Sequence, residues 1–453
     1  MLAEVSFFLN SVLEAFWQFL RSWYWLVLPA IFWPPFRLMW IFWRKNIFDS
    51  KQKQFFLEIK IPKENLKPVR AMEDVLNAIW QGFSEPPYFW EKWWYGKRNM
   101  DFQFEVVSIG GEIHFYVRSV LGYKRDIFEA AIYSQYPGAE ITVKEFPQDD
   151  YTGTVPKTIP NEEWVMFGTD YTFKKPDPYP IRTYVDFEKE AEMGLAPGAE
   201  SKRVDPMAVL LEGMAAMKPG EQLWFQIKPV PLPAKAAAPY IKQAHQLIDE
   251  LSFRKVEKPK SVIKETFALL FGGKKQEKKA AGEIELIAPE LRMTAKEKEI
   301  VEEVRRKTDK PLFLITPIRF IYLAKKEVFF RHRWRLIANY MGSFDKGHMN
   351  GFKVNPHTFT KISAPPPINI FDKRRLYVRK RRLFRLYWTR LEPRRPVESI
   401  GNFANWQWGY FILNSEELAS VFHFPSSEAA PAAGVPRVES KKAEAPPEVP
   451  MEE

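Results

Sequence analysis

The sequence predicts an α+β protein with an N-terminal membrane anchor, two ferredoxin-like (βαββαβ) units, the second with a large insertion, and a disordered C-terminal tail. Three observations carry this expectation. Residues 5–43 are apolar almost throughout and dense in Trp and Phe. From residue 55 onward, period-2 and period-3.6 apolar patterns alternate in short blocks, the signature of mixed strands and helices. From Ser426 to Glu453 the chain turns to Ala, Pro, Glu and Lys without periodicity, a composition that cannot build a core.

The anchor comes first. A bilayer core takes about 20 apolar residues at about 1.5 Å rise each, and residues 22–43 supply that length before Arg44 and Lys45. The run is too long for a cleaved signal peptide, and no small-residue cleavage site follows it. Ahead of it, Glu4, Asn10, Glu14, Gln18 and Arg21 oppose Phe7, Phe8, Val12, Phe16 and Phe19, as in an interfacial helix. The expectation for residues 1–50 is therefore an interfacial helix followed by a transmembrane one; a wholly in-plane anchor is the alternative. Trp23, Trp25, Trp33, Trp40 and Trp43 would sit at headgroup level, Arg37 would snorkel, and Arg44 and Lys45 would mark the boundary. Arg44, Lys45, Lys51 and Lys53 against Glu4 put the bulk of the chain in the cytoplasm by the positive-inside rule.

Composition bounds the rest. A chain of 453 residues implies two or three domains. With no cysteine there are no disulfides, thiolate metal sites or Cys nucleophile. A net charge of +11 favours contact with anionic lipid or nucleic acid. The six histidines are scattered; His348 and His357 read as ordinary residues of a Gly/Asn-rich loop.

The first soluble unit spans 51–150. FFLEIKIP (55–62) alternates as a strand, and 67–83 has helical spacing at Val69, Met72, Val75, Leu76 and Ile79. Residues 101–120 are two strands meeting at Gly110-Gly111, a hairpin signal. A helix over 123–138 and a strand over 139–146 complete βαββαβ. The loop 83–100 interrupts it, with Trp90, Trp93, Trp94 and Tyr95 beside Lys92, Lys97 and Arg98: an interfacial or partner contact, or a cover over the sheet.

The second unit spans 151–425. WVMFGTDYTF and IRTYVDFE read as strands, with TYVDF opening the repeat. A helix follows at 205–217, with Asp205 as N-cap and Pro206 in the first turn. Next come a strand at 221–230 and an insertion at 231–294, mobile around 260–282. A helix at 294–310 opens on a capping box of Thr294 and Glu297. A strand at 311–324, a helix at 326–344, and a strand and short helix at 409–425 close the folded region.

No catalytic signature emerges. GGKK at 272–275 lacks the spacing and hydroxyl residue of a phosphate-binding loop, and there is no G-x-S-x-G or H-E-x-x-H. Asp149-Asp150 and Glu162-Glu163 read as solvated loop carboxylates. The chain is expected to be non-enzymatic and to need no cofactor or metal. The strongest charged feature is 371–395, where Lys373, Arg374, Arg375, Arg379, Lys380, Arg381, Arg382, Arg385 and Arg390 interleave with Tyr377, Phe384, Tyr387 and Trp388. Three readings stay open: a nucleic-acid face, a lipid or protein docking face, or a basic helix whose aromatics are core and whose Arg stems lie over it. RHRWRLIAN (331–339) adds charge nearby. Trp93, Trp94 and these basic residues are the candidate contacts.

FLEIKIPKENLKPVRAMEDVLNAIWQ, HFYVRSVLGYKRDIFEAAIYSQYPGAEI, FILNSEELASVFHFP and PRVESKKAEAPP together resemble the membrane-proximal N-terminal region of TraG-like and HerA-like conjugation ATPases of bacterial type IV secretion. These motifs are structural and carry no chemistry. In that family the last two precede a P-loop ATPase domain, whereas this chain stops at Glu453, so no nucleotide-binding residue carries over. The resemblance implies a cytoplasmic assembly subunit at a bacterial inner membrane that self-associates and docks a separately encoded P-loop ATPase. A membrane-tethered nucleic-acid-binding protein is the alternative.

Overall fold

The computed structural model describes residues 2–62, 67–97, 101–120, 122–192, 205–252, 293–361, 368–390 and 410–425. Of the expected insertion at 231–294, residues 253–292 lie outside these residues, as does the tail at 426–453. Helix α1 (Leu2–Lys51) leads into strand β1 (Phe55–Lys60), helix α2 (Val69–Phe83) and a π-helical turn (Glu91–Tyr95). Strands β2 (Phe102–Ile109) and β3 (Glu112–Ser119) form a hairpin. Gly110 and Gly111 have φ of 60° and 99°, so both central positions of this turn need the left-handed region that glycine enters freely. Helix α3 (Arg125–Gln135) and strand β4 (Glu140–Lys144) complete one βαββαβ order.

The order then recurs with decorations. Strand β5 (Trp164–Phe173), helix α4 (Tyr184–Glu192), helix α5 (Pro206–Ala215) and strand β6 (Glu221–Pro231) come first. Helices α6 (Ala234–Leu251) and α7 (Ala295–Asp309) lie between β6 and β7 (Leu312–Lys325). Helix α8 (Trp334–Gly342), strand β8 (Phe352–Val354), helix α9 (Asp372–Trp388), strand β9 (Phe411–Asn414) and helix α10 (Ser415–Val421) follow. The caps are those the sequence marks: Asp205 accepts from the Met207 amide, and Thr294 and Glu297 close a capping box.

All nine strands among the described residues belong to one antiparallel sheet, ordered β4-β1-β3-β2-β6-β7-β5-β8, with β9 added to the start of β7. Each half runs in the same order outward from the centre. The halves join where β2 pairs β6, from Phe104 opposite Ile227 to Ile109 opposite Gln222. Period-2 alternation gives the sheet two faces. One carries Leu57, Ile59, Phe104, Phe115, Phe225 and Phe320 under α2, α3, α5, α8 and α10. The other, around Phe56, Tyr116, Trp224 and Ile321, is covered by Tyr151, Val155, Ile159 and one side of α9.

Two parts of the expected fold class are overturned. The chain is a mixed α/β structure built on one large antiparallel sheet, not an anchor followed by two separate units. No described helix is long and apolar enough to cross a membrane. Helix α1 is long, but its apolar character comes largely from Trp, Tyr and Phe, and it contains Pro29, Pro34 and Pro35 along with Glu14, Arg21 and Arg37. Indole and phenol groups carry a polar edge that aliphatic spans lack. The transmembrane expectation for Trp23, Trp25, Trp33, Arg37, Trp40, Trp43, Arg44 and Lys45 falls with this, as does the inner-membrane orientation argued from the flanking charges. Smaller corrections follow the same logic of context over local pattern. TYVDF is the start of helix α4, not a strand, and β5 supplies the strand expected there. The helix expected over 326–344 is confined to Trp334–Gly342, and the three-residue β8 carries too short a pattern to be read.

Candidate interaction surface

Three regions hold the residues singled out from sequence. The first is an aromatic platform where α1 meets the turn at 88–97. Trp33 stacks on Trp93 with ring centroids 5.9 Å apart, Trp40 meets Trp94 edge-on at 6.0 Å, and Trp40 Nε1 donates to the Trp93 carbonyl at 2.9 Å. The Arg44 guanidinium lies over Trp40 and Trp43 at 5.9 and 5.7 Å. Gly96 has φ of 72°, and a Cβ there would lie 2.3 Å from the Arg44 backbone, so this close approach admits only glycine. Trp33, Trp43, Trp94, Tyr88 and Phe89 remain largely exposed, Phe89 at 78%. Arg37 is exposed and Lys45 half-buried; Trp23 and Trp25 lie further up the same helix.

The second region is internal and was missed. A row of polar side chains crosses seven strands in register: Thr142, Glu58, Tyr116, Glu105, Gln226, Arg319 and Asp170. At its centre is Arg390, expected on the basic face but buried and held in a left-handed conformation at φ 51°. Its guanidinium makes a fork with Glu105, Nε to Oε1 at 2.8 Å and Nη2 to Oε2 at 3.1 Å, and a second with Asp150 at 2.6 and 2.8 Å. Asp150 is thus not the solvated carboxylate its loop position implied. Glu105 also accepts from Tyr151 Oη and Gln226 Nε2, both at 2.8 Å, and the Tyr151 and Tyr387 hydroxyls are 3.0 Å apart.

Burial opposes the charge on Asp150, but the Arg390 hydrogen bonds and field override it and hold the carboxyl below its usual range. Burial also opposes the Arg390 cation, yet Glu105 and Asp150 keep it protonated. Burial, beside Arg390, pulls Arg118 down to about 10. Further along the row, Arg319 forks onto Asp170 at 2.5 and 3.1 Å. The forks of Arg390 onto Glu105 and Asp150 clamp the 145–160 segment and the end of α9 onto the sheet; paired this way they are structural.

The third region is α9. Leu383, Phe384 and Tyr387 are buried against Trp224, Ile321 and Leu323. Each such burial contributes about 1.5–3 kcal/mol, so this side of the helix is core. The other side presents Lys373, Arg374, Arg375, Arg381, Arg382 and Arg385 to solvent. Among the described residues, no carboxylate pairs with Lys373, Arg374, Arg375, Arg381 or Arg385. Arg379 instead donates to the Pro356 and Phe359 carbonyls at 3.0 and 2.8 Å, which fixes the first half of the helix. Burial, together with Arg375, lowers the Arg379 pKa, and burial beside Arg331 lowers that of Lys380. Like charges are therefore gathered here, and exposed Arg331 and Arg335 extend the patch from the adjoining segment.

The LNSEEL stretch also resolves into structure. Asn414 accepts from the Glu417 amide and Glu417 from the Asn414 amide, a capping box at the start of α10. Glu416 pairs with Arg306 and Lys310 at 3.0 and 2.8 Å, and Glu417 with the buried Lys307 at 3.1 Å. Every residue from Ser415 to Val421 is buried, so the motif ties α7 and α10 to the sheet rather than facing a ligand. Compared with protein-family models and with curated proteins, the chain matches none.

Proposed function

We propose that the chain is a non-catalytic assembly subunit that docks a partner with an acidic surface on the exposed side of α9. The foremost partner is a separately encoded P-loop ATPase, as the resemblance to TraG-like and HerA-like proteins implies. The observation that supports this reading is the charge arrangement of α9. Lys373, Arg374, Arg375, Arg381 and Arg385 lack carboxylate partners among the described residues, while the opposite side of the same helix is locked to the sheet. Arginines on a rigid element need no backbone ordering when a partner binds, and their planar forks match carboxylate and phosphate alike.

The test measures capture of the purified products of the neighbouring genes, with a P-loop ATPase as the expected partner, by the full chain and by a variant carrying Lys373→Glu, Arg374→Glu, Arg375→Glu and Arg381→Glu. These positions are outside the core, so the variant keeps its circular dichroism spectrum. The expected result is capture by the natural chain, weakened at least tenfold by the reversal and by raised salt. Equal capture by both proteins refutes α9 as the docking face. Absence of capture together with DNA affinity that falls steeply with salt, in proportion to the phosphates neutralised, promotes the nucleic-acid reading instead.

A further inference from the structure

We infer that strand β4 is a self-complementary edge through which two copies of this chain pair, joining their sheets across a two-fold axis at Thr142. This surface lies at the opposite end of the sheet from the strand that α9 contacts, and the inference does not depend on the docking role of that helix. β4 is the outermost strand and pairs only with β1. Among the described residues, the backbone of 140–144 makes no hydrogen bond to any segment other than β1. Of the devices that protect an edge, proline, bulge and covering helix are missing within Glu140–Lys144; what remains is its short length and its charged ends, Glu140 and Lys144.

The sequence of this edge, Glu-Ile-Thr-Val-Lys, reads as its own complement when a second copy runs antiparallel. With Thr142 opposite Thr142 of the second copy, Glu140 falls opposite Lys144 and Ile141 opposite Val143, and each pair occurs twice. The faces match as well. Thr142 shares the face of Glu58, so Glu140 and Lys144 do too, while Ile141 and Val143 share the helix-covered face. Val143 is 46% exposed, an apolar side chain left open on an edge.

The neighbouring charges extend this match inward. Lys144 Nζ lies 3.0 Å from Glu58 Oε2, and Glu58 Oε1 lies 2.6 Å from His114 Nδ1, with Glu112 on the far side of that ring at 3.6 Å. Glu140 of the second copy would approach Lys144 from its open side, giving an alternating line of charge: Glu58, Lys144, then Glu140 of the other copy. Directly opposed unlike charges favour a strand pair, and like charges disfavour it. Sliding the copies by two residues places Glu140 opposite Thr142 and leaves Lys144 unmatched, so charge also sets the register. Five paired residues supply about four to six ladder hydrogen bonds. That is a small contact, so the dimer is expected to depend on concentration.

The test uses the full chain and two single variants, Glu140→Lys and Lys144→Glu, with mass measured by light scattering from about 1 to 200 µM. The natural chain is expected to rise from 53.3 kDa toward twice that mass. Each variant alone sets like charges across the axis and weakens dimerisation at least tenfold. The two variants mixed restore both unlike pairs and are expected to form the heterodimer. Because that complementation occurs between two proteins, it does not depend on how either charge change affects its own chain. A monomer throughout the range overturns the inference, as does a dimer that Glu140→Lys and Lys144→Glu both leave unchanged. Failure of the mixture to associate overturns it too.

Discussion

Replacing Arg390 with Met tests whether the polar row through the sheet is structural. The substitution keeps the bulk of the side chain and removes both forks, leaving Glu105 and Asp150 without their cation. Breaking a buried ion pair from one side costs about 3–5 kcal/mol, because the remaining charge stays desolvated. Two features place this case at the lower end. Glu105 keeps donors from Tyr151 and Gln226, and Asp150 keeps the Thr152 amide at 3.2 Å. A loss of about 3 kcal/mol is expected, a large share of the 5–15 kcal/mol that holds a typical domain. With a urea slope of about 3 kcal/mol/M, the midpoint at pH 7 falls by about 1 M. Adding Glu105→Met removes the second buried charge and is expected to recover part of the loss. A midpoint shift below about 0.3 M for Arg390→Met alone would refute the assignment of Arg390 as an internal clamp.

Four further outcomes are expected. Glu58 is held down at about 2, chiefly by its hydrogen bond to His114 and, against the cost of burial, by Lys144. A depressed carboxylate stabilises the fold above its ordinary value and loses that contribution as pH falls. Acid unfolding between about pH 4.5 and 2 should therefore be less steep in Glu58→Gln than in the natural chain. His423 is raised: burial opposes its charge, but Asp205 at 2.9 Å and the Ala419 carbonyl outweigh that. Its contribution is present below about pH 6.5 and is lost as pH rises through the higher folded value, so Asp205→Asn should flatten the fall in melting temperature above pH 6.5. Lys307→Met leaves Glu417 buried and unpaired and is expected to cost about 3 kcal/mol in urea unfolding. Gly96→Ala drives a Cβ into the Arg44 backbone, so Trp40 and Trp93 should separate and tryptophan emission shift to the red while the sheet's circular dichroism is kept.

The strands were legible wherever one face is buried and the other mixed, as in FFLEIK and WFQIK, because alternation reports a half-polar sheet directly. Legible too were the caps at Asp205 and Thr294 and the double glycine of the hairpin, where one residue type satisfies a local need. Joining the halves into one sheet was not legible, since pairing β2 with β6 depends on residues more than a hundred positions apart. The internal row left a signal that went unread. Glu105, Gln226 and Arg319 each interrupt an apolar strand at a position whose neighbours are core, and such residues require buried partners. Arg390 was hidden by company: eight cations precede it in the basic run, and only the end of α9 turns it inward. The anchor was misjudged by counting Trp and Tyr as if they were Leu.

A helix of 50 residues extends for about 75 Å along its axis, whereas a compact body of about 400 residues has a radius of gyration near 21 Å. Helix α1 thus gives the molecule a long profile, and drag in solution follows profile rather than mass. The chain should diffuse and sediment more slowly than a sphere of 53.3 kDa and leave a sizing column early even as a monomer.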